Sequence, residues 1–152
     1  MQNVNQIFLY ALIMLIAGIG IPIMGALSGG LGTRLQSPAL AAVVLFVVGF
    51  ILSLAFIFFV EGVPKSLPKT PIPIQYYFGG LFILFYTLSI TWVGPKFGIG
   101  NAVSFVLLGQ LISMSVIDHY GLMGALNYPV TLQRITGLIC MAVGVFLVVK
   151  RF

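Results

Sequence analysis

Five long apolar runs, each close to the length of a bilayer-crossing helix, constrain this chain more than any other feature. A helix rising 1.5 Å per residue needs about 20 apolar residues to cross about 30 Å of hydrocarbon. The runs cover residues 7–27, 39–60, 74–93, 98–117 and 132–149. They are continuous, whereas a membrane barrel alternates apolar and polar positions. The expected fold is therefore an all-α integral membrane protein, with five transmembrane helices in one domain over residues 1–152. Charged residues are 6% of the chain, against about 25% in an ordinary soluble domain. That excludes a water-soluble globule, a disordered chain and a nucleic-acid reader. The net charge of +5 comes from lysines and arginines scattered at the ends of apolar runs, as in membrane proteins.

Short polar or proline-bearing joints separate the runs at 28–38, 61–73, 94–100 and 118–131. Pro64, Pro68, Pro71 and Pro73 cannot continue a helix, and Lys65 and Lys69 resist the bilayer core. Gly94, Pro95 and Gly98 make the third joint tight, and Pro129 sets the start of the last helix. The first run has no basic segment before it and is too long for the apolar core of a signal peptide. It reads as a retained helix. The single cysteine, Cys140, lies in an apolar run and cannot form a disulfide within one chain.

Five spans put the two termini on opposite sides of the membrane. Lys65, Lys69 and Arg134 fall on the N-terminal side, and Arg34, Lys96, Lys150 and Arg151 on the other. Orientation normally follows a clear Lys/Arg excess on the cytoplasmic face, and three against four is almost a tie. One reading is that the bias of one, with Lys150 beside Arg151, fixes the C-terminus inside. The favoured reading is that the chain inserts both ways and pairs with an inverted copy of itself. Such an antiparallel homodimer gives a ten-helix inverted-repeat transporter, and transporters of that symmetry hold their substrate site between the halves.

Eighteen glycines lie mostly in or beside the runs, where small residues let helix backbones approach closely. Gly137 and Gly144, two turns apart on one face, read as a pairing stripe within or between chains. Gly79 and Gly80 would let a neighbour cross near the start of the third run. Gly18 and Gly20 before Pro22 mark a bend, because a mid-span proline frees a carbonyl that needs another partner. Ordinary close packing accounts equally well for most of these glycines.

Polar residues inside the runs narrow the function further. The fourth carries Asn101, Ser104, Gln110, Ser113 and Ser115, then Asp118. Gln110, Ser113 and Asp118 fall near one helix face. A glutamine so deep must be hydrogen-bonded, facing protein or a watery cavity. It is either a substrate contact or interhelical glue. Asp118 is either a partly buried proton-coupling carboxylate or an interfacial anchor paired with Arg134. His119 alone argues neither a metal nor a proton relay, and Glu61 reads as a surface partner of Lys65. Tyr86, Ser89, Thr91 and Trp92 give the third run a mixed aromatic and hydroxyl lining, suited to an amphipathic or aromatic small molecule. Tyr76, Tyr77 and Tyr128 form an aromatic belt at the run ends. No acid lies in mid-span, so a deep carboxylate cannot anchor a cationic substrate. No paired carboxylates, HExxH, phosphate loop or cysteine–histidine set is present. No enzyme activity, cofactor or metal is expected.

The segment Gly109-Gln110-Leu111, Ser113, Asp118-His119-Tyr120-Gly121, Arg134, Gly137 and Gly144-Val145 resembles the YdcZ-type family of the drug/metabolite transporter superfamily. Gly79-Gly80, the joint from Gly94-Pro95 to Gly98, Gly18 to Pro22, Leu31-Gly32 and Ser37-Pro38 extend the resemblance over nearly the whole chain. Where the family tends to carry a glutamine and an asparagine after the first-span proline, this chain has Met24 and Ser28. The resemblance implies a five-helix inner-membrane exporter of small organic solutes that works as a pair. The expected mechanism is alternating access, with Gln110, Ser113, Tyr86, Pro22 and Trp92 lining the substrate site. Asp118 would be a proton-coupled gate, and Gly137 and Gly144 the pairing face. Beyond its own second copy, the partners expected are the lipid bilayer and a small-molecule substrate, with no nucleic acid. A passive small-solute channel, or a structural subunit of a membrane complex, is the alternative.

Dual insertion is directly measurable. With Lys69→Cys in a Cys140→Ala background, a membrane-impermeant thiol reagent is expected to label about half the molecules in intact cells and all of them after permeabilisation. Labelling of all or none in intact cells would mean a single fixed orientation.

Overall fold

The computed structural model of the chain describes residues 4–62 and 71–149. Among the described residues it holds five helices long and apolar enough to cross a membrane. These are α1 (Val4–Arg34), α2 (Pro38–Phe56), α3 (Gly79–Phe97), α4 (Ile99–Tyr120) and α5 (Leu132–Val149). A π-helical turn, Ile57–Glu61, prolongs α2, and a 3₁₀ turn, Ile74–Phe78, leads into α3. The all-helical membrane fold expected from the apolar runs is what forms. Lys65, Lys69, Pro64, Pro68, Lys150 and Arg151 lie outside the described residues, and with Lys65 the surface pair expected with Glu61.

Helix ends depart from the sequence expectation at the first and third joints, whereas α5 covers the expected Leu132–Val149. α1 continues to Arg34, with Pro22 inside it. The joint at 94–100 shrinks to Gly98, with Gly94 and Pro95 both inside α3. Gly98 has φ +92°, a conformation that side-chain-bearing residues rarely adopt. Proline is tolerated inside membrane helices when a neighbouring helix fills the space around it. Pro95 has such a neighbour, as described below. α2 starts at Ser37, whose hydroxyl accepts the Leu40 N–H, with Pro38 at the first helical position.

The chain falls into two compact units, Met1–Lys96 and Phe97–Phe152. In the first, α1 packs on α2, and small residues bring α3 against α1. Gly25, Ser28, Gly29 and Gly32 are buried along one face of α1, facing outward from which stand large side chains such as Leu27. Thr87, Ile90, Thr91 and Gly94 are the buried face of α3. A Cβ on Gly29 would sit 3.1 Å from the Pro95 ring, and one on Gly32 would sit 2.5 Å from the Thr91 methyl. The Pro95 ring and the Thr91 methyl therefore occupy the hollows left by two missing side chains. Ala41 and Ala42 of α2 are fully or almost fully buried. This interior is small-residued because lipid supplies no hydrophobic force between helices, so packing depends on close approach. The large apolar side chains point outward: Phe50, Phe82, Phe85 and Phe146 are all exposed.

In the second unit α4 packs on α5. Gly121, at φ +60°, ends α4 and donates its N–H to the Ile117 carbonyl, while Thr131 caps α5 by accepting the Arg134 N–H. Hydroxyls throughout the described helices bond to their own backbone: Ser53 donates to Gly49, Ser104 to Gly100, Ser115 to Leu111 and Thr136 to Leu132. That is how a membrane helix carries a hydroxyl without leaving it unsatisfied in hydrocarbon.

Adding a methyl at the α1–α3 contact tests this packing. Gly32→Ala is expected to lower resistance to unfolding in mixed micelles by about 1–3 kcal/mol through overpacking. Gly30→Ala, whose Cβ enters open space, should change it by less than about 0.5 kcal/mol. Thr91→Ser, which removes the methyl, should restore the Gly32→Ala variant. Equal effects at positions 30 and 32 would contradict the contact.

Candidate functional site

A cleft of about 190 Å³ opens in the first unit at the C-terminal ends of α1 and α3, beside the start of α2. It is lined by Gly32, Thr33, Pro38, Thr91, Trp92, Pro95 and Lys96. Trp92 is 57% exposed, and the Lys96 ammonium lies 4.3 Å from the centre of its ring. That is a cation–π contact, which also lets the lysine stem cover the indole. Thr91 is 2% exposed, and its hydroxyl has no hydrogen-bond partner among the described residues. The Thr33 hydroxyl, by contrast, donates to the Gly30 carbonyl at 2.8 Å. The Tyr86 hydroxyl, on a half-buried ring of α3, is likewise shielded and unpartnered. A buried unsatisfied polar group costs about 1–3 kcal/mol, so both hydroxyls stand out from the self-bonded ones elsewhere.

The second unit holds its polar residues in two places. At the end of α4, Asp118 accepts from the Arg134 guanidinium at 2.6 Å, with the side chains 24% and 27% exposed respectively. The Asp118 carbonyl accepts the Tyr128 N–H, and His119 Nδ1 accepts the Val130 N–H. The His119 ring also meets Tyr120 edge-on. These bonds fasten the α4–α5 connection onto the helix ends. Among the described residues no cluster of His, Cys, Asp and Glu could hold a metal ion. Midway along α4, Ser113 donates to the Gln110 backbone carbonyl. Gln110 and Ser113 are both exposed on α4, and no described residue of the second unit covers them.

The expected lining residues fall in both units. Trp92 lines the cleft, whereas Pro22 and Tyr86 do not. Gln110 and Ser113 share one exposed face of α4. Asp118 pairs with Arg134, the anchoring arrangement weighed from the sequence, and a coupling role requires it to leave that guanidinium. A side chain at Gly137 or Gly144 would meet no described residue of the second unit within 4 Å. Sequence reasoning missed Lys96, which it counted only as membrane-side charge. The signal was its position four residues after Trp92, one helical turn on the same face. It also missed the bond from Val130 to His119, which joins residues too far apart for spacing to reveal.

The ion pair invites a double-mutant cycle. Asp118→Asn and Arg134→Gln should each cost about 1 kcal/mol or less of unfolding resistance, the low value reflecting partial exposure. The double variant should lose no more than either single one. Fully additive losses would mean that the pair contributes no coupling.

A family model described as "Putative inner membrane exporter, YdcZ" matches residues 9–147, almost the whole of the five-helix region. No curated protein and no solved structure matches the chain. Five apolar helices in that span and the family match together make this chain a member of the YdcZ family of inner-membrane exporters.

Proposed function

We propose that the chain is a secondary-active exporter of small organic solutes that works by alternating access as an antiparallel homodimer, with Gln110, Ser113, Tyr86, Pro22 and Trp92 lining the solute path. The observation that carries this reading is Gln110, a primary amide midway along a membrane-spanning helix and exposed within its own unit. An amide facing hydrocarbon is costly. A second copy, or a watery solute path between copies, supplies the partner it lacks. The backbone at Gly137 and Gly144, uncovered within the second unit, supports the same reading, since small residues let a helix of another copy approach closely. The near balance of basic residues between the two sides supports an inverted rather than a parallel arrangement. Alternating access is then rocking of one copy against the other around a site on their shared axis. Asp118 serves as the proton-coupled gate by exchanging Arg134 for a proton as the connection between α4 and α5 moves.

Two variants test the assignment in reconstituted vesicles. Gln110→Ala should abolish saturable solute efflux while the purified protein keeps its helicity and its dimer mass. Asp118→Asn should leave a residual flux that no longer responds to an imposed pH gradient. Normal transport by Gln110→Ala removes that residue from the path. Flux that never saturates and ignores the gradient in the unsubstituted protein points to a channel.

A further inference from the structure

A hydrogen bond from the Val130 N–H to His119 Nδ1, 3.2 Å long, ties the far end of the α4–α5 connection back to the last turn of α4. The direction of that bond fixes the state of the ring. A neutral imidazole has one nitrogen that donates and one that accepts, whereas in the cation both donate. Nδ1 accepts from Val130 only while it carries no proton, which leaves the single ring proton on Nε2. A second proton turns the acceptor into a donor, and two N–H groups then face each other. The bond and that proton exclude one another.

The surroundings make the exclusion consequential. The connection leaves α4 through Gly121 at φ +60°, Met123 at φ +57° and Gly124 at φ +83°. Glycine adopts a left-handed backbone freely, but a residue with a side chain is strained there. Met123 is 73% exposed, so packing of its side chain does little to offset that strain. Three contacts hold the connection closed: Tyr128 N–H on the Asp118 carbonyl, Val130 N–H on His119, and the ion pair of Asp118 with Arg134. His119 lies at the C-terminal, negative end of the α4 dipole, which accommodates a cation. The other described charged or titratable groups of the second unit are Asp118, Tyr120, Tyr128, Arg134 and Cys140. Asp118 is engaged by Arg134, and Tyr120 meets the imidazole edge-on. Tyr128 is exposed, Cys140 lies well inside α5, and the 3₁₀ turn Leu122–Gly124 adds no such group.

We propose that His119 is a proton-binding site that latches the α4–α5 connection: the neutral imidazole holds Val130 and keeps the connection closed, and protonation releases it. Release lets the strained stretch around Met123 relax. Histidine is the side chain whose charge changes between about pH 5 and 8, so the latch is closed at the alkaline end of that range and open at the acid end. The latch belongs to the fold and stands whether or not the chain exports solutes. In the exporter reading it times the movement of the connection that the Asp118 gate needs.

His119 is the only histidine, so its ring nitrogens give one unambiguous nuclear magnetic resonance signal set. The full chain, labelled with ¹⁵N and held in nanodiscs, is titrated from pH 8 to pH 5. At pH 8 the ring should be the Nε2–H tautomer. As it gains its second proton, hydrogen-exchange protection at the Val130 amide should fall about 3- to 10-fold after correction for intrinsic exchange, the equivalent of one hydrogen bond. The Gly121 amide, bonded to the Ile117 carbonyl within α4, should keep its protection throughout and so reports that the helix stays folded. His119→Asn supplies an amide oxygen as acceptor in place of Nδ1 and takes up no proton in this range. It should keep Val130 protected and abolish the pH dependence. His119→Phe, with no acceptor, should leave Val130 poorly protected at both ends of the range. An Nδ1–H tautomer at pH 8, Val130 protection that does not change across the titration, or an undiminished pH dependence in His119→Asn overturns the latch. Each readout is taken without transport, so failure here leaves the exporter reading untouched, and a chain that moves no solute leaves the latch untouched.

Discussion

Helices in lipid gain nothing by hiding apolar side chains from one another, and this molecule is organised around that constraint. Association depends on how closely backbones approach. The first unit achieves the approach at one contact, where Gly29 and Gly32 of α1 receive the Pro95 ring and the Thr91 methyl of α3. Apart from Ile90, the residues buried nearby are small: Gly25, Ser28, Ala41, Ala42, Thr87 and Gly94. A soluble domain of the same helices would carry its phenylalanines there. Here they face outward, where lipid is as good a neighbour as protein.

The same absence of water governs the polar groups. With no solvent to fall back on, a hydroxyl in a membrane helix bonds to a carbonyl of its own helix. Ser53, Ser104, Ser115 and Thr136 do so. Asp118 and Arg134 close on each other at the end of α4, and the surrounding backbone bonds from Tyr128 and Val130 hold that end together. Against this background the unsatisfied groups are few and specific. Tyr86 and Thr91 keep hydroxyls without partners, and Gln110 keeps an amide on an open face.

Pro95 illustrates how one residue serves both constraints. A proline inside α3 removes the N–H that would serve the Thr91 carbonyl, a cost in any helix. Its ring also fills the hollow at Gly29 and lines the same cleft as Lys96 and Trp92. The packing contact and the candidate site are therefore one structure, and a change to either alters the other.

Much of this was legible in the residues alone. Five apolar runs determine five helices, because hydrocarbon admits no unpaired backbone and each run has the length to cross it. The paucity of charge determines the membrane, and the pairing of Asp118 with Arg134 was one of two readings that the sequence left open. Helix ends were less legible: Gly94 and Pro95 read locally as a stop, whereas α3 runs through both to Phe97 with the Pro95 ring seated at Gly29. The cleft was not legible at all. Trp92, Lys96 and Thr91 are close in sequence, but Gly32, Thr33 and Pro38 lie more than fifty residues away. Which glycines pack and which stay open could not be read from spacing, since Gly32 is filled by Thr91 while Gly137 and Gly144 face empty space. The sequence by itself determined the solvent, the number of helices and their polar content. Tertiary structure alone decided which small residues meet and which polar groups go without a partner, because both depend on distances between segments far apart along the chain.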